Sequence, residues 1–320
     1  MERDVSLTSG AKAAEALRRL GHSVTCVDMF LGETEPKAAI SNTAPDLAAL
    51  RASRPGTSRV GDDVFALCQA ADLVFIALHG TDGEDGKIQA AFDLLGVKYT
   101  GTGQLGSALA MNKAVAKTLM AQADVTVARS VTVTRRDTFE LAASVGFPCV
   151  VKPVSGGSSV GTSVVGSMDE LEVALVDAWA YDEFAMVEQF IKGRECSVGV
   201  LAERALPVIE IRPLQGFFDY ENKYQDDMTL EICPGEFDAD TTARLQAAAL
   251  DVFRALKLEV YSRMDFIVTD DGELYCLEAN TLPGLTPASL MPKEAVADGM
   301  TYDDFIAAIV AESLKKYGDA

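Results

Sequence analysis

The stretch Arg263 to Asn280, RMDFIVTDDGELYCLEAN, constrains this chain more than any other part of it. It reads as a β-hairpin turning at Asp271-Gly272, the dipeptide favoured by type I′ turns because both central residues need a positive φ. A two-residue loop there sets Asp265 directly opposite Glu278 and Arg263 opposite Asn280. Residues two apart on a strand share a face, so all four polar groups project from one side. Two carboxylates facing each other across a ladder repel, and something positive belongs between them. An all-oxygen set of Asp, Glu and Asn suits Mg²⁺, particularly Mg²⁺ carrying phosphates. The plainer alternative is a solvated hairpin face; the agreement of turn, register and the run Glu278-Ala279-Asn280 favours the metal.

The chain has 320 residues, enough for two or three domains with a substantial core. Its net charge of −20 argues against a nucleic-acid partner, which needs clustered Lys and Arg. The same charge serves ordinary solubility, and it does not exclude a phosphate ligand met by a few placed lysines and Mg²⁺. The six cysteines are scattered, with no C-x-x-C pair, as expected of buried free thiols in a reducing cytoplasm. Two histidines do not supply a His-based metal site. The N-terminus lacks the apolar core of a signal peptide. The apolar run Leu73 to Leu78 falls far short of a membrane span, so no membrane association is expected.

Along the chain, helix and strand patterns alternate at first. Val5 to Leu20 predicts a helix closed by Gly21, Ser23 to Asp28 a short strand, and Asp62 to Ala71 a helix. Leu73 to Leu78 predicts a parallel strand buried on both faces. A loop from His79 to Gly86 follows, then a helix from Lys87 to Leu95 and a strand over Val97 to Thr100. Open α/β sheets bind ligands at the carboxyl ends of their strands, and the loop after Leu78 lies at such an end. Further on, helices are predicted over Ser107 to Gln122 and Arg136 to Val145. Phe147 to Pro153 and Thr162 to Val165 then flank a Gly/Ser loop, Val154 to Gly161. Strand, loop, strand is a hairpin and not a P-loop. Beside Lys152 such a loop is a candidate phosphate cover, since glycines let backbone N–H groups approach an anion; an ordinary hairpin loop is the alternative. Strands around Glu195 to Leu201 and Leu206 to Ile211, a long loop from Gln215 to Glu231 and a helix over Ala239 to Leu256 precede the metal hairpin. Thr281 to Pro287, with two prolines and a glycine, predicts a tight loop beside it. No G-x-G-x-x-G follows a first strand, which argues against a nicotinamide dehydrogenase.

Several stretches together resemble the D-alanine–D-alanine ligase family of the ATP-grasp superfamily. They are ERDVSLTSG from Glu2, HGTDGEDGKIQ from His79, Met111-Asn112-Lys113, VKPVSGGSSVG from Val151 and EQFIKGRECSVG from Glu188. GFFDYENKY from Gly216, SRMDFIV from Ser262 and LEANTLPGLTPASL from Leu277 complete the set, in family order through almost the whole chain. The resemblance implies an α/β fold: an N-terminal open α/β domain followed by a two-lobed ATP-grasp fold of α+β character. The boundaries it implies are 1–103 for the N-terminal domain, 104–188 for the central lobe with the Gly/Ser loop, and 189–320 for the C-terminal lobe with the metal hairpin.

The resemblance also implies a reaction. ATP phosphorylates the carboxylate of one D-alanine, and the amine of a second attacks the acylphosphate, giving D-alanyl-D-alanine for peptidoglycan. Catalysis of that kind rests on positioning and electrostatics. Asp265, Glu278 and Asn280 then hold two Mg²⁺ (or Mn²⁺) on the ATP phosphates, and Lys113, Lys152, Ser159 and Lys223 contact ATP. Glu188, Gln189, Phe190 and Ile191 take the adenine edge and Glu195 the ribose. Arg263 and the Gly284 N–H face the reacting groups. Glu2 accepts the first ammonium, with Ser158 and Tyr224 bonded to it, and His79 lies near the first carboxylate, unless it is a structural histidine. Ser289 and Leu290 hold the second carboxylate. A tyrosine at position 224 goes with dipeptide and not D-lactate products. A homodimer in the cytoplasm is the implied setting. Other ATP-grasp carboxylate–amine ligases, or a truncated nucleotide-binding remnant, are the alternatives. The family places a strand and a Gly-Gly-x-Ser turn before the residues matching Glu2; with neither here, Met1 is expected to be an internal methionine of a longer protein, and the first domain to lack its first strand.

Overall fold

The computed structural model describes residues 3–36, 58–157, 160–213 and 229–318. Helix α1, Arg3–Arg19, ends at Gly21 with φ 92°. The His22 N–H reaches back to the Leu17 carbonyl at 3.0 Å, the left-handed closure that glycine permits. Helices α2, Val64–Gln69, and α3, Lys87–Leu95, follow. The runs predicted as parallel strands meet at one parallel bridge, Val74 with Tyr99. The Val74 N–H donates to Lys98 O at 2.8 Å and the Thr100 N–H to Val74 O at 3.0 Å. The next rung is a side chain: the Ile76 N–H donates to Thr100 Oγ1 at 3.0 Å. Of Leu73 to Leu78 only Ile76 is buried, and Ser23 to Asp28 contributes only the Val27–Thr34 bridge among the described residues. Apolar runs predicted these strands, but a ladder also needs a partner backbone, which composition does not provide.

A four-stranded antiparallel sheet comes next. Its strands are β1, Ser130–Val133, β2, Cys149–Pro153, β3, Ser163–Val165, and β4, Ala185–Gln189, in the order β1-β4-β2-β3. Helix α7, Met168–Tyr181, buries Leu171, Leu175 and Ala178 against Val151 and Val187 of this sheet. Strands β2 and β3 form the hairpin expected around the Gly/Ser loop. Two helix predictions change. The helix expected over Arg136 to Val145 is only α6, Phe139–Ala143, because Thr138 Oγ1 accepts the Leu141 N–H at 3.2 Å and starts it late. The helix expected over Ser107 to Gln122 is two, α4, Gln104–Met111, and α5, Lys113–Gln122. Asn112 between them has extended ψ (97°) and caps α5 by accepting the Val115 N–H at 3.1 Å.

The larger sheet contains β5, Arg194–Leu201, β6, Arg204–Ala205, β7, Ile209–Pro213, β8, Thr229–Ile232, β9, Tyr261–Val268, and β10, Leu274–Asn280. The order is β10-β9-β5-β7-β8, with β6 on β5, and every named pairing is antiparallel. Helix α8, Ala239–Ala255, covers one face, packing Leu245, Val252 and Phe253 against Val198, Met264 and Phe266. The other face meets the four-stranded sheet across a cleft. Helices α9, Leu290–Ala297, and α10, Tyr302–Lys315, close the chain. Phe305, Ile306 and Ile309 of α10 share a core with Leu17, Phe92 and Tyr99 and with Tyr261 and Leu282, so the N-terminal segment is built onto the base of the larger sheet.

Candidate active site

The hairpin of β9 and β10 pairs Asp265 with Glu278 and Arg263 with Asn280, as the sequence predicts, but by a different route. The loop has three residues, Asp270 to Gly272. The Thr269 N–H donates to Glu273 O and the Gly272 N–H to Thr269 O, each at 2.9 Å. Gly272 alone in the loop has a positive φ, 84°. This is the three-residue loop with glycine in the left-handed position. Near the loop Val268 faces Leu274 and Phe266 faces Cys276, one position out of the predicted register. A bulge between Cys276 and Glu278 then restores it. Leu277 is the extra residue. Cys276 lies in the core under α8, while Leu277 and Glu278 both line the cleft.

Asp265 is nearly buried and accepts four hydrogen bonds. Its Oδ1 takes Ser197 Oγ at 2.6 Å and Arg263 Nε at 2.8 Å. Its Oδ2 takes Arg263 Nη2 at 2.8 Å and Asn280 Nδ2 at 3.1 Å. Burial pulls the Arg263 pKa down, but Asp265, Glu278 and Glu294 outweigh it and hold the guanidinium firmly cationic. Lys113 Nζ stands 3.7 Å from Glu278 Oε2. The positive charge demanded by two facing carboxylates is thus supplied by Arg263 and Lys113. Asp265, Glu278 and Asn280 still offer only hard oxygen ligands on one face. No group of three or more His, Cys, Asp or Glu is placed to hold a metal ion among the described residues; a hard cation held by these oxygens would complete its shell with phosphate and water.

Opposite stand the lysines. The break at Asn112 lets the Lys113 N–H donate to Val154 O at 3.0 Å, and Lys113 Nζ donates to Gly156 O at 2.5 Å. The junction of α4 and α5 therefore holds the stem of the Gly/Ser loop. Lys152 on β2 pairs with Glu188 on β4 at 2.6 Å, and Lys117 on α5 pairs with the same carboxylate at 2.5 Å. Burial opposes charge on Lys152, yet Glu188 and Glu278 outweigh it and raise its pKa. Burial likewise opposes charge on Glu188, and the two lysines overcome it and lower the pKa. The Glu188 side chain therefore points at lysines.

Lys113, Lys152, Glu188 to Ile191, Glu195, Asp265 and Glu278 all line one cleft of about 1140 Å³ between the two sheets. At its mouth Arg194 and Arg212 both fork onto Glu210, at 2.7–2.9 Å; burial would raise that carboxyl, but the arginines depress it to about 2. Arg263, Asn280, His79, Gly284, Ser289 and Leu290 are not in the cleft lining. Arg263 and Asn280 are fixed to Asp265, and the others gather around the loop that leaves β10. The Leu282 carbonyl accepts from His79 Nδ1 at 2.8 Å, which puts the neutral-ring proton on Nδ1 and makes Nε2 the acceptor for Ser9 Oγ at 2.9 Å. Glu84 takes the Leu282 N–H at 3.1 Å and the Gly80 N–H at 2.6 Å. Ser289, the residue before α9, has its Oγ 2.9 Å from Thr286 Oγ1, and a Cβ on Gly284 would come within 2.7 Å of that Oγ. A side chain at position 284 would push the Ser289 hydroxyl from its place beside Thr286. Glu2, Ser158, Ser159, Lys223 and Tyr224 lie outside the described residues.

Sequence reading missed Ser197, Lys117 and Glu294. Ser197 carried no signal. Lys117 follows Lys113 by one helical turn, a visible spacing. Glu294 stands out as a carboxylate in the apolar stretch Leu290 to Val296. It is fully buried, its Oε2 accepts the Gly199 N–H at 2.7 Å, and burial drives its pKa to about 8 against the pull of Arg263.

The chain is similar over most of its length to known proteins. A family model for the D-ala D-ala ligase N-terminus matches residues 1–102, and one for the C-terminus matches residues 119–311. A D-alanine–D-alanine ligase of Pediococcus pentosaceus is 40% identical over 339 aligned positions, covering 99% of this chain and 96% of the relative. The crystal structure of D-alanine–D-alanine ligase from Bacillus anthracis superposes with a TM-score of 0.73 at 37% identity, covering 80% of this chain and 84% of that one. A structure of D-alanine–D-alanine ligase from Bacillus anthracis complexed with ATP gives 0.70 at 31%, covering 81% and 84%. The VanG D-Ala:D-Ser ligase of Enterococcus faecalis gives 0.69 at 34%, covering 76% and 73%. With its ATP-grasp fold, the chain belongs to the D-alanine–D-alanine ligase family.

Proposed function

We propose that this protein uses ATP to join two D-alanines into D-alanyl-D-alanine, a peptidoglycan precursor, with ADP and phosphate as by-products. The carrying observation is the cleft itself: Asp265 and Glu278 on one wall face Lys113 and Lys152 on the other, and both family models match. The adenine lies along Gln189 to Ile191 and the ribose at Glu195, which directs the phosphates inward to Lys113, Lys152, Ser159 and Lys223. Asp265, Glu278 and Asn280 hold two Mg²⁺ or Mn²⁺, which supply positive charge to the phosphate oxygens. A carboxylate oxygen of the first D-alanine attacks the γ-phosphorus and ADP leaves. The amine of the second attacks the acyl carbon, phosphate leaves with that oxygen, and the nitrogen loses a proton. Arg263 and the Gly284 N–H meet the charge that develops on oxygen. Ser289 precedes and Leu290 begins α9, where backbone N–H groups favour the second carboxylate. Glu2 takes the first ammonium, His79 flanks the first carboxylate, and Ser158 and Tyr224 bond to Glu2.

In the same reading the chain divides at 103/104 and 188/189, works in the cytoplasm as a homodimer, and binds neither nucleic acid nor membrane. No helix among the described residues is long and apolar enough to cross a membrane. The mechanism is tested with D-alanine carrying ¹⁸O in its carboxylate. One labelled oxygen per turnover is expected in the phosphate; unlabelled phosphate would exclude an acylphosphate. The likeness to a D-Ala:D-Ser ligase supports one rival reading, with D-serine as second substrate. Competition between D-alanine, D-serine and D-lactate decides it, and Tyr224→Phe is expected to raise the D-lactate product.

A further inference from the structure

We infer that Lys117 is a positioning residue for the nucleotide: its pairing with Glu188 leaves the charge of Lys152 available to the ATP phosphates. The inference rests on the reading that Lys152 meets phosphate.

Lys113 and Lys117 occupy one face of α5, a turn apart. Lys113 reaches Gly156 and Glu278 at the cleft. Lys117 stops behind it, its side chain 5% exposed and its Nζ 2.5 Å from Glu188 Oε2. That Nζ has no exposed surface and forms no hydrogen bond of good geometry among the described residues, so the ion pair is its main compensation. The other oxygen of Glu188 holds Lys152 at 2.6 Å.

The charges decide what this arrangement does. Glu188 and Lys152 alone form a neutral pair, which offers a polyanion little. Adding Lys117 makes the buried trio net positive by one, on the wall of the cleft that Lys152 lines and Lys117 does not. Burial and the neighbouring Lys152 lower the Lys117 pKa, and Glu188 offsets them only in part; it is the 2.5 Å contact with an ionised carboxylate, which can only accept, that places a proton on Nζ. Stability alone is a weak reason for such a group, because apolar residues of similar volume commonly serve a core as well as a buried ion pair does. A charge relay to the ligand is a better one.

The test is binding of ATP, ADP and adenosine by calorimetry to wild type, Lys117→Met, Lys152→Met and the double variant Lys117→Met/Glu188→Gln. Lys117→Met is expected to weaken ATP on the order of tenfold and to leave adenosine unchanged. The double variant removes one charge of each sign, restores a net positive trio, and is expected to recover ATP binding. Lys117→Arg is expected to bind ATP as wild type does. Equal losses for ATP and adenosine, or no recovery in the double variant, would overturn the role of Lys117. If Lys152→Met keeps full preference for ATP over adenosine, the reading of Lys152 fails first and takes the inference with it. Should Lys117→Met not fold, Lys117→Gln and the double variant carry the same comparison.

Discussion

Cys276 and Glu278 stand two residues apart on β10 yet face opposite sides of the sheet, the thiol in the core and the carboxylate in the cleft. Regular strand geometry would put both on one face. The bulge at Leu277 separates them, and it also cancels the register offset of the three-residue loop. Loop and bulge depend on each other. Deleting Leu277 leaves Cys276 opposite Phe266 and makes Glu278 the next residue of the ladder, still opposite Asp265, so the deletion is expected to give a regular strand that keeps Glu278 and Asn280 on the cleft side and retains ligation. Adenosine binding and product formation, measured side by side, check this; a deletion variant that binds adenosine but no longer ligates would contradict it.

Gly272 matters for stability and not for chemistry. Its φ of 84° is unfavourable for any side chain, though no atom lies within 4 Å of an added Cβ. Gly272→Ala is expected to cost about 1 kcal/mol of folding stability with kcat unchanged. Urea denaturation and a rate assay separate the two.

Ser197 is wholly buried on β5 and donates to Asp265 at 2.6 Å. Ser197→Ala removes one of four bonds that orient the carboxylate. The Mg²⁺ concentration giving half-maximal rate is expected to rise several-fold, with a stability loss of about 1 kcal/mol. A Mg²⁺ titration at saturating ATP, compared with an ATP titration at saturating Mg²⁺, distinguishes a metal effect from a general one.

Glu294 makes stability depend on pH. Burial raises its folded pKa from 4.5 to about 8, in the company of Arg263, Asp265 and the Gly199 N–H. A raised pKa means the folded state holds the proton more tightly. That contribution is full below 4.5 and is lost as pH rises to about 8, at up to about 1.4 kcal/mol per unit. Glu294→Gln does not titrate. Its stability relative to wild type is expected to grow from pH 5 to pH 8, read from urea midpoints across that range. Parallel curves would show that Glu294 does not carry the titration.

The chemistry was more legible in the sequence than the geometry delivering it. The shared face of Arg263, Asp265, Glu278 and Asn280 follows from strand period and a turn signal. The loop length does not, because Asp-Gly closes three-residue loops as well as two, and no side chain announces a bulge at Leu277. Lys117 was hidden by reading residues 107 to 122 as one helix. Asn112 is a good helix cap, and a break there makes Lys113 and Lys117 the inward face of a helix that starts at the cleft. The first segment shows the opposite case: Leu73 to Leu78 is apolar enough for a strand, and the described residues give it one bridge.

The central claim is tested most directly by incubating the protein with ATP, Mg²⁺ and D-alanine and identifying the product by mass, with L-alanine as control. The account predicts D-alanyl-D-alanine, one ADP per dipeptide, and no product from L-alanine. ATP binding without dipeptide from D-alanine, alone or paired with D-serine or D-lactate, would contradict it.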